Sequence, residues 1–149
     1  MTEDITLRAC TGADTPAVDK LLAASYPVLL KPDYPPSTLV LALPLISRAR
    51  PELMRCGTYY MMEGAEGRAL AAGGWTFSAP QGGVGPRHVG HIRHVVTDPG
   101  HTRRGLGSAL MRHILAEALR HGVTVMRCHR PRTAVPFYKS LGFRALGHV

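Results

Sequence analysis

The sequence predicts a mixed α/β fold in one domain. Three observations carry that expectation: short segments that alternate apolar and polar residues, one long segment with an apolar repeat every four residues, and the interleaved order of the two kinds. The 149 residues suit a single domain spanning 1–149, and a hydrophobic fraction of 45% is enough to fill a core. Neither an interdomain linker nor an internal repeat is visible.

Ile5-Thr6-Leu7-Arg8-Ala9-Cys10 alternates as a half-buried strand does. Thr11-Gly12-Ala13-Asp14 breaks it, and Asp14 or Thr15 opens a helix with Pro16 in its first turn. Val18, Leu21, Leu22 and Ser25 share one face of that helix. Pro27 and residues 31–36 predict a loop. A second helix follows from Ser37 or Thr38 to about Arg50, interrupted at Pro44 and ended by Pro51. Residues 58–62 and 68–78 read as the two strands of a hairpin turning at 63–67, and 79–86 is a Gly/Pro-rich loop. Residues 88–97 form another strand, stopped by Asp98-Pro99-Gly100. The clearest helix covers 104–121, where Leu106, Leu110, Ile114 and Ala118 recur on one face. Gly122 suits its left-handed C-terminal cap. A strand at 123–128, a short helix at 133–141 and a last strand at 143–149 complete the chain.

The formal net charge of +8 is unevenly placed. Residues 1–86 carry seven Lys/Arg against eight Asp/Glu, a net of −1; residues 87–149 carry eleven against two, a net of +9. A basic half points to an anionic partner such as a phosphorylated cofactor, or reflects an Arg-rich soluble surface. Cys10, Cys56 and Cys128 form an odd set with no C-x-x-C pair, which argues against a disulfide framework or thiolate zinc site and for a reducing, cytoplasmic setting. Met1-Thr2-Glu3-Asp4 is acidic and precedes no apolar run, so no signal peptide is expected, and no run is long enough to span a bilayer.

Arg103-Arg104-Gly105-Leu106-Gly107-Ser108 joins a strand to the long helix. Free amides at a helix start, glycines that allow close approach and two guanidinium groups together suit a pyrophosphate. Short Gly-x-Gly turns also serve conformation alone. The segment is neither a Walker loop nor a full dinucleotide fingerprint.

Three stretches occur in order: His91-Ile92-Arg93-His94-Val95-Val96-Thr97-Asp98-Pro99, then Arg103-Arg104-Gly105-Leu106-Gly107-Ser108-Ala109-Leu110, then Ala134-Val135-Pro136-Phe137-Tyr138-Lys139-Ser140-Leu141-Gly142-Phe143. Together, over residues 88–145, they closely resemble the GNAT superfamily of N-acetyltransferases. The resemblance implies a central mixed sheet of six to seven strands, flanked by about four helices and splayed between strands 4 and 5. It implies acetyl-CoA as co-substrate in that split, with no metal. Main-chain groups of Val95, Val96 and Thr97 would bind the pantetheine arm, and the turn Thr102, Arg103, Arg104, Gly105, Leu106, Gly107 and Ser108 would bind the pyrophosphate. Tyr138 falls where the family often places its general acid. Thr102 stands where the family usually has Gln or Arg, and Pro131 where many relatives carry Asn.

An amine attacks a thioester only as the free base, so the reaction needs a base, an oxyanion donor and an acid for the departing thiolate. Tyr138 is the candidate acid and His91 the candidate base, with His88, Arg93 and His94 as nearby alternatives. On a regular strand Arg93 shares the face of His91, while His94 points the other way unless a bulge intervenes. Histidines spaced by three alternate faces, which argues against a metal site built from His88, His91 and His94. Trp75 and Tyr34 line an acceptor pocket or belong to the core.

The reading is an acetyl-CoA-dependent N-acetyltransferase acting by direct attack of a primary amine, on a small-molecule or protein acceptor. Homodimers are common in the family. No nucleic acid or membrane partner is expected. The alternative is a non-catalytic CoA-binding sensor module, motivated by Thr102 and Pro131.

Overall fold

A five-stranded sheet in the order β1-β2-β3-β4-β5 organises the molecule, as the computed structural model shows. The structure describes residues 4–30, 48–78, 85–101 and 105–128. Strands β1 (Thr6–Ala9), β2 (Tyr59–Glu63), β3 (Ala69–Thr76) and β4 (Val89–Thr97) pair antiparallel in succession; β5 (Val125–Arg127) pairs parallel with β4. Helix α1 (Thr15–Leu30) lies against β3 and β4, the short α2 (Pro51–Arg55) precedes β2, and α3 (Leu106–Arg120) packs on β3 with contacts to β2 and β4.

Each face of the sheet has its own apolar layer. Val18, Leu21 and Leu22 of α1 join Tyr59, Met61, Ala72 and Val96 on one face. Leu106, Leu110, Met111, Ile114 and Ala118 of α3 join Tyr60, Leu70, Trp75 and Ile92 on the other. The alternation of β2 is what divides Tyr59 and Met61 from Tyr60 and Met62. Trp75 is 1% exposed in the α3 layer, so it is core rather than pocket lining.

The long helix ends as its sequence predicts. Gly122 has φ +88°, its N–H donates to Leu119 O at 3.0 Å, and Val123 N–H donates to Ala118 O at 3.0 Å. This doubly bonded cap seats Val123 against Ala118 in the core.

Two proline readings need correction. Pro27 lies inside α1 rather than in a loop: packing of the helix on β3 and β4 tolerates the one missing N–H bond. Pro51 begins a helix instead of ending one, occupying the first turn of α2 where no N–H partner is required. Five strands and three α-helices are described, against the expected six to seven and about four. The segments 133–141 and 143–149 lie outside the described residues, as does most of the helix expected before Arg50. The last described strand is also shorter than its apolar run, because Val123 serves the helix cap.

Candidate functional site

The parallel ladder between β4 and β5 is brief. It pairs Val89 with Val125, Gly90 with Met126 and His91 with Arg127, and there it stops. β4 continues from Ile92 to Thr97 with no partner strand on that side among the described residues. Among the described residues the sheet therefore opens at His91, and the β4 edge beyond it presents main-chain groups that no described ladder satisfies.

A β-bulge controls which groups those are. Gly74 pairs with Arg93 and Ala72 with Val96, so Gly73 faces both His94 and Val95. His94 takes φ +47°, a left-handed conformation uncommon for histidine. The inserted residue lets His94 join Arg93 on the α1 face, while Val95 packs into the α3 layer and Val96 into the α1 layer. Asp98 N–H donates to Leu70 O at 2.8 Å. By the ladder's alternation Val96 then turns its N–H and C=O to β3, and Val95 and Thr97 turn theirs to the open edge.

Helix α1 and β2 hold this bulge from one side. Tyr59 Oη donates to the His94 carbonyl at 2.9 Å, Tyr26 Oη and His94 Nδ1 lie 3.1 Å apart, and Ser25 Oγ donates to the Thr97 carbonyl at 3.2 Å. Burial pushes Tyr26 up to about 12 and Tyr59 well above the usual phenol value, so both keep their protons. Burial, then the nearby Arg50 and Arg93 charges, holds His94 down at about 4, which makes it a neutral imidazole at pH 7. The bulge thus rests on buried neutral hydrogen bonds.

The turn leading to α3 is anchored at its start. Asp98, 8% exposed, takes His101 Nδ1 at 2.7 Å and Arg68 Nη2 at 3.1 Å. Burial alone would raise the Asp98 carboxyl; its bonds to His101 and Arg68 outweigh that and hold it below the usual carboxylate value. Thr102, Arg103 and Arg104 lie outside the described residues, as do Tyr138 and Pro131. Gly105 then caps α3 in the left-handed conformation, φ +79°, and as a glycine it brings no side chain to bond the helix start. Ala109 N–H makes the first bond back, to Gly105 O at 3.0 Å. The amides of Leu106, Gly107 and Ser108 precede that bond and have no acceptor within the helix.

The model of the Acetyltransferase (GNAT) family matches residues 18–143 of this chain. The chain belongs to the GNAT acetyltransferase family. A glucosamine 6-phosphate N-acetyltransferase from Trypanosoma brucei brucei is 39% identical over 61 residues, which are 41% of this GNAT chain and 42% of that protein. The matched stretch thus spans less than half of that relative's length. An acetyltransferase structure from Trypanosoma brucei superposes with TM-score 0.67 at 24% identity, covering 98% of this chain and 96% of that one. The PaiA N-acetyltransferase of Thermoplasma acidophilum, solved in complex with coenzyme A, superposes with TM-score 0.77 at 12% identity, covering 95% and 90%. At these identities the superpositions speak to the fold.

Of the residues expected at the site of this GNAT protein, the structure brings His91 to the point where the sheet opens. Val95 and Thr97 lie on the open edge and Gly105, Leu106, Gly107 and Ser108 at the start of α3. Sequence reasoning missed Gly73, Tyr26, Tyr59 and Ser25. The one available signal was the Gly73-Gly74 pair inside a strand, which marks a bulge or a close backbone approach.

Proposed function

We propose that this GNAT protein transfers an acetyl group from acetyl-CoA to a primary amine of its acceptor, by direct attack in a ternary complex. The observation that carries this reading is the run of β4 past its last pair with β5 among the described residues, from Ile92 to Thr97, together with the glycine-capped start of α3. The residues present fit the co-substrate. The Val95 main chain and the Thr97 N–H, which no ladder bonds among the described residues, suit an amide-bearing pantetheine arm, with Val96 fixing their direction by facing β3 and the Thr97 carbonyl taken by Ser25. The amides of Leu106, Gly107 and Ser108, released by the Gly105 cap, suit a diphosphate, and Thr102, Arg103 and Arg104 would add a hydroxyl and two charges. The coenzyme A complex of the Thermoplasma acidophilum protein supports the same reading.

Bound acetyl-CoA would supply a thioester that a neutral amine attacks. The chain's part is to take a proton from the amine, donate a hydrogen bond to the acyl oxygen and protonate the leaving sulfur. His91, at the mouth of the split, is the proposed base. His94 is less suited: it is tied to Tyr26, and a histidine held at about 4 is a weak base at neutral pH. The Val95 N–H is the proposed donor to the acyl oxygen, and Tyr138 the proposed acid. The three free cysteines agree with the cytoplasmic setting of this proposal.

The test is calorimetry with coenzyme A, followed by a thioester-release assay over an amine panel with the native chain, Tyr138→Phe and His91→Ala. Coenzyme A binding with turnover of at least one amine is expected, and each substitution should slow turnover by roughly 10²-fold or more. Absence of coenzyme A binding removes the transfer reading; binding without turnover of any amine leaves a sensor module.

A further inference from the structure

Arg93 is 7% exposed, and among the described residues its one hydrogen-bond partner is a neutral hydroxyl: Nη1 donates to Thr76 Oγ1 at 3.1 Å. A buried guanidinium is costly to leave without an anion, and proteins ordinarily pair it. Here most of the described carboxylates are engaged elsewhere. Asp14 and Glu63 take Arg8, Asp98 takes Arg68 and His101, Glu117 takes Arg120, and Asp19 takes the Ala49 amide. Glu52 is two-thirds exposed and sits 3.9 Å from Arg50. None lies within ion-pair distance of Arg93. A second cation instead raises the local potential: Arg50 opposes the charge on Arg93 and on His94, and this outweighs the opposite effect of Glu52. Arg50 is held there because the neighbouring Ala49 amide is bonded to Asp19 of α1.

The place is informative. Thr76, which Arg93 touches, is the β3 partner of His91, and His91 is the last β4 residue paired with β5. Arg93 therefore lies on the α1 face at the mouth of the split, on the side opposite the α3 layer. The geometry points to Arg93, supported by Arg50, as the recognition site for an anionic group, a carboxylate or phosphate, carried by the acceptor near its amine. One guanidinium edge is used by Thr76, and the remaining donors can grip two oxygens side by side. This deepens the acetyl-transfer reading and rests on it for the word acceptor; the anion site itself does not.

The test compares matched amines that differ only in an anionic group: glucosamine against glucosamine 6-phosphate, and glycinamide against glycine. Turnover is measured for the native chain, Arg93→Gln and Arg93→Lys, with coenzyme A affinity followed by calorimetry. Expected is at least a tenfold higher kcat/KM for one anionic member over its neutral partner. Arg93→Gln erases that preference through KM with coenzyme A affinity unchanged, and Arg93→Lys retains part of it. A neutral partner that is used equally well, or a preference that survives in Arg93→Gln, overturns the inference while leaving acetyl transfer intact. The melting temperature of Arg93→Met gives a second readout: equal to or above the native value if the arginine is kept for a ligand, well below it if the arginine is structural, which overturns the inference. If no amine turns over, the transfer reading falls, and the site is judged by inorganic phosphate with coenzyme A saturating. A melting shift lost in Arg93→Gln sustains the anion site, and no shift in the native chain ends it.

Discussion

Replacing Gly73 by alanine tests whether the bulge in β4 is built by close approach of β3. A Cβ at Gly73 would lie 2.7 Å from Val95 Cγ2, 3.1 Å from Val95 Cα and 3.2 Å from Val95 Cβ. Ordinary carbon contacts are about 3.5–4.0 Å, so Val95 must move. Overpacking of this kind costs about 1–3 kcal/mol, and the restricted unfolded chain of Gly→Ala returns about 0.4–1 kcal/mol, leaving a net loss of roughly 1–2 kcal/mol. At about 2–4 °C per kcal/mol for a domain near this size, the melting temperature should fall by roughly 2–8 °C. Because Val95 is the residue displaced, coenzyme A binding should weaken several-fold in the same variant. Gly74→Ala is the control: its Cβ would meet Thr58 O and, at 2.6 Å, Tyr59 Cα, backbone at the start of β2, so stability should fall with less effect on coenzyme A. The decisive assay is a double-mutant cycle by thermal melts. Val95→Ala removes the 2.7 Å contact, and the pair should show a favourable coupling of about 1 kcal/mol. Strictly additive losses, or an unchanged melting temperature in Gly73→Ala, would refute the steric account of the bulge.

Other perturbations have separate signatures. His94 has its folded value depressed to about 4 from 6.5, so the unfolded chain binds its proton first as pH falls. Stability should then drop between pH 6.5 and 4 by on the order of 3 kcal/mol, and His94→Asn, which tolerates the left-handed φ, should flatten that limb in denaturant melts. Asp14 is held at about 2 rather than 3.8, first by its bond to Arg8, so its contribution is full above pH 3.8 and disappears as pH falls toward 2. Asp14→Asn should cost about 1–2 kcal/mol at pH 7 after allowance for the partly exposed Arg8, and should remove the steepest part of acid unfolding. Gly122→Ala at φ +88° should cost about 1–2 kcal/mol by chemical denaturation without changing coenzyme A affinity.

What could be read from the sequence follows from how local each determinant is. The long helix was legible because its repeat, its glycine cap and its core-facing positions are all set within the segment, and Leu106, Leu110, Ile114 and Ala118 are buried as the period demands. The apolar face of α1 was legible for the same reason, down to Ser25 at its edge. Pro27 and Pro51 misled because proline reports only what the chain loses, a donor and a range of φ; whether a helix absorbs that loss is decided by packing. His91 was found as a residue type on a strand. Its position at the opening of the sheet depends on where β5 ends, which no residue near His91 encodes. The Tyr26, Tyr59 and Ser25 supports are separated from β4 by 68, 35 and 72 residues, so no spacing pattern could announce them.

The bulge also explains why the two faces of β4 can serve different ends. A strictly alternating strand would send Arg93 to α1 and His94 into the α3 layer, among Trp75 and Ile92. A histidine buried there would need a polar partner that this apolar layer does not offer. Inserting one residue places Arg93 and His94 on the α1 side together, where Thr76 and Tyr26 meet them, and returns Val95 to the α3 layer. The same insertion swings the Val95 main chain to the edge that β5 has left. One local irregularity therefore sets both the direction of the proposed acyl-oxygen donor and the cluster of cations on the acceptor side. The two effects can be separated experimentally. Arg93→Gln should alter the choice of acceptor and leave coenzyme A binding alone, while Gly73→Ala should weaken coenzyme A and leave the choice of acceptor unchanged. A single variant that shifted both by the same factor would mean that the bulge moves as one piece with Arg93, and the division of labour between the faces would be wrong.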